Sequence, residues 1–402
     1  MKLYKKILII LILIIVYAYI CNICMLPDNI VLMQGEFLNL NTIFGINLKS
    51  SETMQASSNL NNKIVQKTGK LDLSLNLFDL FSVKDVTVNV IPNTTVIPIG
   101  KAIGMKMYTE GVLVVGMSEI EGKKPYEKTG IEAGDTIVEI NNIKINSTDD
   151  LIECVNSSKG QEIEIKYINN NEEKTTSIEP VKTSNNEYKL GLWVRDAAAG
   201  VGTLTFFEPS TNNFASLGHG INDVDTYELI NIAKGELVTT NIVDIVKGQD
   251  GTPGEIRGSI ENGTSLGNIS KNTSFGVYGQ ISNISKLNLN QSREMEVANR
   301  SEIKTGKAEI MCELENGKIG TYEIEIQKLY TENNENNKSM LIKVTDEELI
   351  EKTGGIIQGM SGAPIIQNGK FIGAITHVLV NDSKTGYAVF ADLMIKQMRE
   401  VN

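Results

Sequence analysis

The alternation of apolar and polar positions divides the chain into four stretches. Three lysines lie within the first six residues. From Ile7 to Ile20 no polar side chain follows beyond two tyrosines, and the apolar run continues to Leu26, broken only by Asn22. About 20 residues at ~1.5 Å rise each cross a hydrocarbon core of about 30 Å, so this pattern predicts a membrane helix over 1–26. The flanking lysines predict a cytoplasmic N-terminus, with the bulk of the chain on the far side of the membrane. A cleavable signal peptide is the competing reading. No small-x-small site closely follows the run, which favours an uncleaved anchor, and neither Ile20 nor Ile23 is the small residue that a lipoprotein site needs before Cys21 or Cys24.

Residues 27–97 are rich in Asn, Ser and Gln from Asn39 to Lys70, which reads as a polar connector. Strand-like alternation then appears in Leu71-Asp72-Leu73-Ser74-Leu75 and Val86-Thr87-Val88-Asn89-Val90. Residues 98–183 form a third stretch. Val112 to Val115 reads as a buried strand, Ser147 as the N-cap of a short helix with two aspartates in its first turn, and Ile163 to Tyr167 as another strand. Residues 184–402 hold many short β-rich runs separated by Gly, Asn and Pro turns. That pattern predicts barrels or a sandwich, and ~220 residues suffice for two six-stranded barrels.

Composition narrows the chemistry. The 402 residues include 35 glycines, four cysteines and two histidines, with a net charge of −11. An acidic chain lacks the basic surface that neutralises phosphates, so nucleic acid is not an expected partner. Two histidines and four dispersed cysteines argue against a His-rich metal site, a four-cysteine zinc module and a disulfide scaffold, and no metal or cofactor is expected. An enzyme using imidazole has only His219 or His377.

Three motifs carry candidate chemistry. In Gly359-Met360-Ser361-Gly362-Ala363-Pro364, glycines flank a serine on a turn between apolar runs. Such a turn can aim the N–H groups of Gly359 and Ser361 at one developing oxyanion. Gly218-His219-Gly220 follows a strand-like run about 140 residues earlier, placing an exposed imidazole as general base. Phe371 to His377 reads as a strand at about the distance from the serine where the chymotrypsin-like fold, which the serine loop resembles, places its substrate-pairing strand, and that resemblance implies Thr376 and His377 as cleft residues. A plain Gly-Ser turn and a turn histidine are the bland alternatives. Ser361 followed by a proline, between two strands and with a suitable upstream histidine, outweighs them.

These motifs resemble two families. Gly130, Ile131, Gly134, Asp135, Ile137, Ile140 and Asn141 match the signature of a PDZ domain of the bacterial protease-associated kind. That resemblance implies a peptide groove between residues 101–107 and the helix starting near Asp149. The serine loop resembles that of chymotrypsin-like proteases. Together with Gly191-Leu192-Trp193-Val194-Arg195-Asp196, Gly202 to Phe206, Leu217 to Gly220, Thr353 to Ile356, Thr376 to Val378 and Asn381-Asp382, it resembles the SpoIVB peptidase family over roughly residues 95–402.

The resemblance implies a mainly β chain: a transmembrane helix, an α+β PDZ domain at 98–183 and a chymotrypsin-like double β-barrel at 184–402. It implies a serine endopeptidase of sporulation, secreted across the forespore inner membrane into the intermembrane space. There it would cleave itself and a membrane-associated regulatory protein, triggering processing of a late mother-cell sigma factor. The PDZ domain would take a peptide, including one from the chain itself. The third triad member implied is Asp346, with Asp223, Asp225, Asp244 and Asp382 as rivals. Asp346 also suits the N-cap of the segment after it. Met360 stands where digestive proteases carry an aspartate that pairs with a new N-terminus, so activation by that ion pair is not expected. A non-catalytic PDZ scaffold with a protease-like binding domain, and a structural envelope protein, are the competing classes.

Overall fold

A computed structural model describes residues 2–38, 46–50, 63–65, 67–78, 80–170, 172–287, 293–330 and 337–400. Most of the polar stretch expected from Asn39 to Lys70 lies outside these residues. The N-terminal apolar run forms one helix, α1 (Lys2–Met25), of which Lys6–Met25 is long and apolar enough to cross a membrane. The expected connector is in part a folded unit. β1 (Asn29–Met33), β2 (Ile46–Ser50), β3 (Gly69–Leu77) and β4 (Phe81–Ile91) make a four-stranded sheet in the order β1-β4-β3-β2. Its alternation buries Leu73, Leu75, Val86, Val88 and Val90, with Leu26 from the end of the helical segment joining the same core.

The 23-residue strand β5 (Thr95–Met117) changes partners along its length. Its later part pairs with β6 (Thr136–Ile140), which pairs with β7 (Ile163–Asn169) and then β8 (Glu172–Ile178). Helix α2 (Thr148–Ser157) belongs to this α+β unit. Ser147 and Asp150 form the capping box that the sequence predicts, and Leu151 and Val155 point into a core with Val112, Ile137 and Ile165. The chain returns along β9 (Leu192–Glu208), which pairs with β5 from Met117 back to Ile97.

The earlier part of β5 is a barrel stave. It pairs with β9 on one side and with β11 (Ile232–Val246) on the other. β10 (Asn213–Ser216), β12 (Glu255–Thr273) and β13 (Gly276–Ile281) complete a closed ring in the order β5-β9-β10-β13-β12-β11. A second closed barrel contains β14 (Gly306–Glu315), β15 (Lys318–Leu329), β16 (Met340–Val344), β17 (Pro364–Gln367), β18 (Lys370–Leu379) and β19 (Asp382–Phe390). Helix α3 (Glu347–Thr353) follows β16, and α4 (Ala391–Arg399) follows β19.

Two barrels agree with the mainly β double-barrel expectation. The boundary at 98 does not correspond to a break, because it falls inside β5. The α+β unit is an excursion between the first two staves of the first barrel. Residues 101–107 therefore differ from expectation: Ile103 pairs with both Gly202 and Thr239, and Met107 with both Ala198 and Gly235. With both edges occupied, this segment cannot add a peptide strand.

The barrels meet through shared packing and polar contacts, among them a buried carboxylate. Phe206 of β9 stands edge-on to Phe371 of β18, with centroids 5.3 Å apart. Glu313 of β14 is buried, and its carboxylate accepts from the N–H of Ala102 at 2.9 Å and of Gly317 at 2.5 Å. Glu313→Leu puts an apolar side chain of similar reach in its place and leaves both donors unpaired. It is expected to cost about 2–4 kcal/mol of unfolding free energy, measured by urea titration, with Glu313→Gln less damaging.

Candidate active site

The two loops singled out in the sequence come from different barrels and pack against each other. His219 follows β10 through Leu217 and Gly218, whose φ values are 69° and 68°. A leucine in the left-handed region costs on the order of 1 kcal/mol and persists only where the surroundings enforce it. Here they do: Leu217 is buried, its N–H donates to Thr203 O, and its side chain fills the space beside Gly202.

Ser361 lies on the turn before β17. The N–H groups of Met360, Gly362 and Ala363 are used within this framework, on Ile357 O, Ile375 O and Met360 O. Thr203 of β9 clamps the turn from the first barrel, its N–H donating to Ser361 O at 3.1 Å and its hydroxyl to Gly359 O at 2.7 Å. Among the described residues, no backbone hydrogen bond uses the N–H of Gly359 or Ser361. Gly362 has φ 93°, and a Cβ there would stand 2.4 Å from Thr203 O and 2.5 Å from Leu217 N. The serine turn thus presses directly on the backbone that leads into His219. Met360 is fully buried in the second barrel's core, in keeping with its failure to serve as an ion-pair partner.

Thr376 joins the two loops. Its carbonyl accepts the Ser361 hydroxyl at 2.9 Å, and a Cβ on Gly218 would lie 3.0 Å from its methyl group. His377 follows, with its ring centroid 5.0 Å from that of His219. The His219 Nδ1 lies 2.7 Å from Gly220 O. A carbonyl only accepts, so Nδ1 carries the proton and Nε2 keeps its lone pair. Loss of hydration lowers the His219 pKa from its ordinary value, outweighing the bond to Gly220. His377 is more open to solvent. It is also held low, by partial loss of hydration and then by the nearby His219 and Lys338.

The structure does not bring Asp346 to His219. Asp346 is the N-cap of α3: its carboxylate accepts from Leu349 N at 2.9 Å and from Glu323 N at 3.2 Å. The alternative reading as a cap describes its place. The bonds and ion pairs of the rivals also go elsewhere. Asp223 and Asp225 bind Arg195, Asp244 faces Arg257 at 3.9 Å, and Asp382 bonds Thr385 and Lys384.

Arg195 carries no chemical signal of its own within the Gly191–Asp196 motif. It lies on β9, where residues 192–195 pair with the later part of β5, and it reaches the loop after His219. There it binds Asp223, a buried carboxylate that also accepts from the N–H groups of Asp225 and Thr226. Burial opposes ionisation of Asp223, but those donors and the guanidinium outweigh it and hold the carboxyl below its usual range. The PDZ signature turn also touches this loop: a Cβ on Gly134 would lie 3.2 Å from Glu228 Oε2.

A PDZ unit joined to a double barrel of a peptidase family defines the class to which the chain belongs. Residues 186–395 match the family model for SpoIVB peptidase S55, and residues 100–179 match a PDZ domain model. The chain belongs to the SpoIVB peptidase S55 family. A Clostridium acetobutylicum protein provisionally named a zinc metalloprotease is 31% identical over 85 residues, which are 21% of this chain and 25% of that protein. The match thus spans a quarter of that relative's length. The PDZ domain of an SdrC-like protein from Listeria monocytogenes is 22% identical, covering 21% of this chain and 87% of that one at a TM-score of 0.19. The active form of the M. tuberculosis protease Rv3671c is 11% identical, covering 64% of this chain and 88% of that one at a TM-score of 0.29.

Two outcomes follow from this geometry. Asp346→Ala should lower stability by about 1 kcal/mol as a lost cap, with kcat/KM changed less than about threefold well below the melting temperature. A loss near ~10⁴-fold would instead mark a triad carboxylate. Arg195→Ala strips a buried carboxylate of its countercharge beside His219. It should lower kcat about tenfold, with Arg195→Lys recovering part of the loss.

Proposed function

We propose that the chain is an endopeptidase in which Ser361 attacks the scissile carbonyl and His219 takes its proton. The observation that carries this reading is the interlock of the two loops across the barrel interface, with Gly362 against Leu217 and Gly218 against Thr376. At rest the Ser361 hydroxyl is turned to Thr376 O. A substrate strand beside β18 would offer its own N–H to that carbonyl and free the hydroxyl for His219 Nε2. The proton passes to His219 as the acyl bond forms, and then to the leaving amine. The N–H groups of Gly359 and Ser361 are proposed to receive the oxyanion. The Gly220 carbonyl takes the orienting place that Asp346 was expected to fill, holding the imidazole tautomer without a full charge. Thr376 and His377 are proposed to line the cleft.

For the PDZ unit we propose a groove on β9 rather than on residues 101–107. Residues 192–195 pair with β5 along one edge only, among the described strands, and α2 lies beside the other, with Thr148 N donating to Asp196 Oδ2 at 2.6 Å. Trp193 of the strand and Ile152 of the helix are exposed. An extended peptide, including one from the chain itself, can add to this edge. Family membership supports the wider role: a membrane-anchored or secreted sporulation peptidase in the space between the forespore membranes. There it would cleave itself and a membrane-associated regulator upstream of late sigma-factor processing.

The test is Ser361→Ala, which should abolish both self-cleavage and fluorophosphonate labelling. Persistence of either would leave a binding scaffold. The pH profile gives a second check. Neutral His219 is the active form, and its lowered pKa keeps it neutral to lower pH than an ordinary histidine. The rate kcat/KM should therefore hold its plateau down through pH ~6.5 and fall only below that value.

A further inference from the structure

We infer that the hairpin joining β3 to β4 is a second membrane contact, inserted into the same bilayer that α1 crosses. The hairpin tip exposes Phe78, Leu80 and Phe81, with 54%, 76% and 66% of their surfaces open. Three large apolar side chains at one turn are an unusual surface for water. Their position relative to α1 identifies the occupant. Lys84 of β4 donates to Leu26 O and pairs with Asp28 at 2.8 Å, so this level of the hairpin sits at the end of the helix. Phe78 meets the ring of Tyr19, with centroids 6.4 Å apart.

The two elements run side by side over the same distance. From Met25 back to Tyr19 the helix descends about 9 Å. From Lys84 to Phe81 the strand covers about 10 Å. If the 20 residues Lys6–Met25 fill a core of about 30 Å, the hairpin tip lies below the membrane surface on the side of the folded domains. Tyr17, Tyr19 and the two phenylalanines would form an aromatic belt at that boundary. Tyr19, Ile23 and Leu26 pack with the sheet core containing Leu73, Leu75, Val86 and Val88. The helix end is thus part of the sheet's own core, which fits an anchor retained in the mature protein. This inference rests on the reading of α1 as membrane-spanning.

The test places tryptophan at the tip of the full chain, reconstituted in phosphatidylethanolamine–phosphatidylglycerol vesicles with brominated acyl chains. Trp193 is the one natural tryptophan and serves as a control in the α+β unit. In the Trp193→Phe background, Phe81→Trp should lose at least half its fluorescence to brominated lipid and resist aqueous iodide, while Trp193 in the natural chain responds oppositely. Tyr17→Trp, in the same background, reports on α1. If Tyr17→Trp is quenched by brominated lipid but Phe81→Trp is not, the hairpin contact is overturned and the anchor stands. Quenching of Phe81→Trp by iodide would place the tip in water, and protection from both quenchers would place it against protein, such as a second copy. Either result defeats the proposal. If neither tryptophan responds to brominated lipid, the spanning reading of α1 fails as well.

Discussion

The antiparallel ladder between β5 and β9 is the constraint on which the other arrangements depend. It runs from Leu192 opposite Met117 to Phe207 opposite Ile97. One end closes a barrel and the other completes the α+β unit, without a linker between them. The pairing runs from one unit into the other through three register shifts, so the two units share one strand pair. Thr203, which clamps the serine turn, and Arg195, which holds the loop after His219, are on the same strand. Any strain applied to the edge of β9 beside α2 therefore acts on a strand that touches both halves of the active site.

That placement accounts for the strained backbone before His219. The serine turn needs room to approach the first barrel, and Gly362 meets Thr203 and Leu217 with no space for a side chain. Leu217 takes a left-handed conformation that lets the chain turn away and return as His219. The cost falls on a buried residue whose N–H and side chain are both engaged, which is why the turn holds its shape. A neutral carbonyl on Nδ1, with no carboxylate described there, leaves burial to set the basicity of the imidazole. On the proposed mechanism, His219 would gain a lowered pKa and a fixed tautomer while lacking the charge that would stabilise an imidazolium.

The parts of the fold that were legible in the sequence are those whose constraint is local. Three of the glycines around Ser361 and His219, Gly218, Gly359 and Gly362, take positive φ values that other residues resist. The capping box at Ser147 and Asp150 is equally local. The misplaced groove has a different cause. Residues 101–107 alternate as any strand does, and a period of two does not reveal whether a second strand covers the far edge. Asp346 shows the same limit for chemistry. An aspartate before a short helix reads identically as a cap or as a triad member until its distance from the imidazole is known. Arg195 and Asp223 are far apart in sequence and meet only because β9 passes the loop after His219.

The N-terminal sheet links the barrels to α1. Val31 and Met33 of β1 and Ile91 of β4 are buried in the core of the peptidase barrels rather than in that of their own sheet. Glu36 caps this junction, its carboxylate accepting from Met33 N at 2.7 Å. Burial raises its pKa, and the nearby Asp392 adds to the effect against Arg300. Arg300 itself pairs with Asp392 at the start of α4, so the junction is tied by buried charge as well as apolar contact. With Leu26 in one core and Met33 in the next, only a few residues separate α1 from the core of the barrels. A flexible tether would let the active site sweep a volume. On the proposed reading of α1 as an anchor, a packed stalk of this kind would set the height of the Ser361 and His219 loops above the bilayer, so that position as well as sequence would select the bond that is cut.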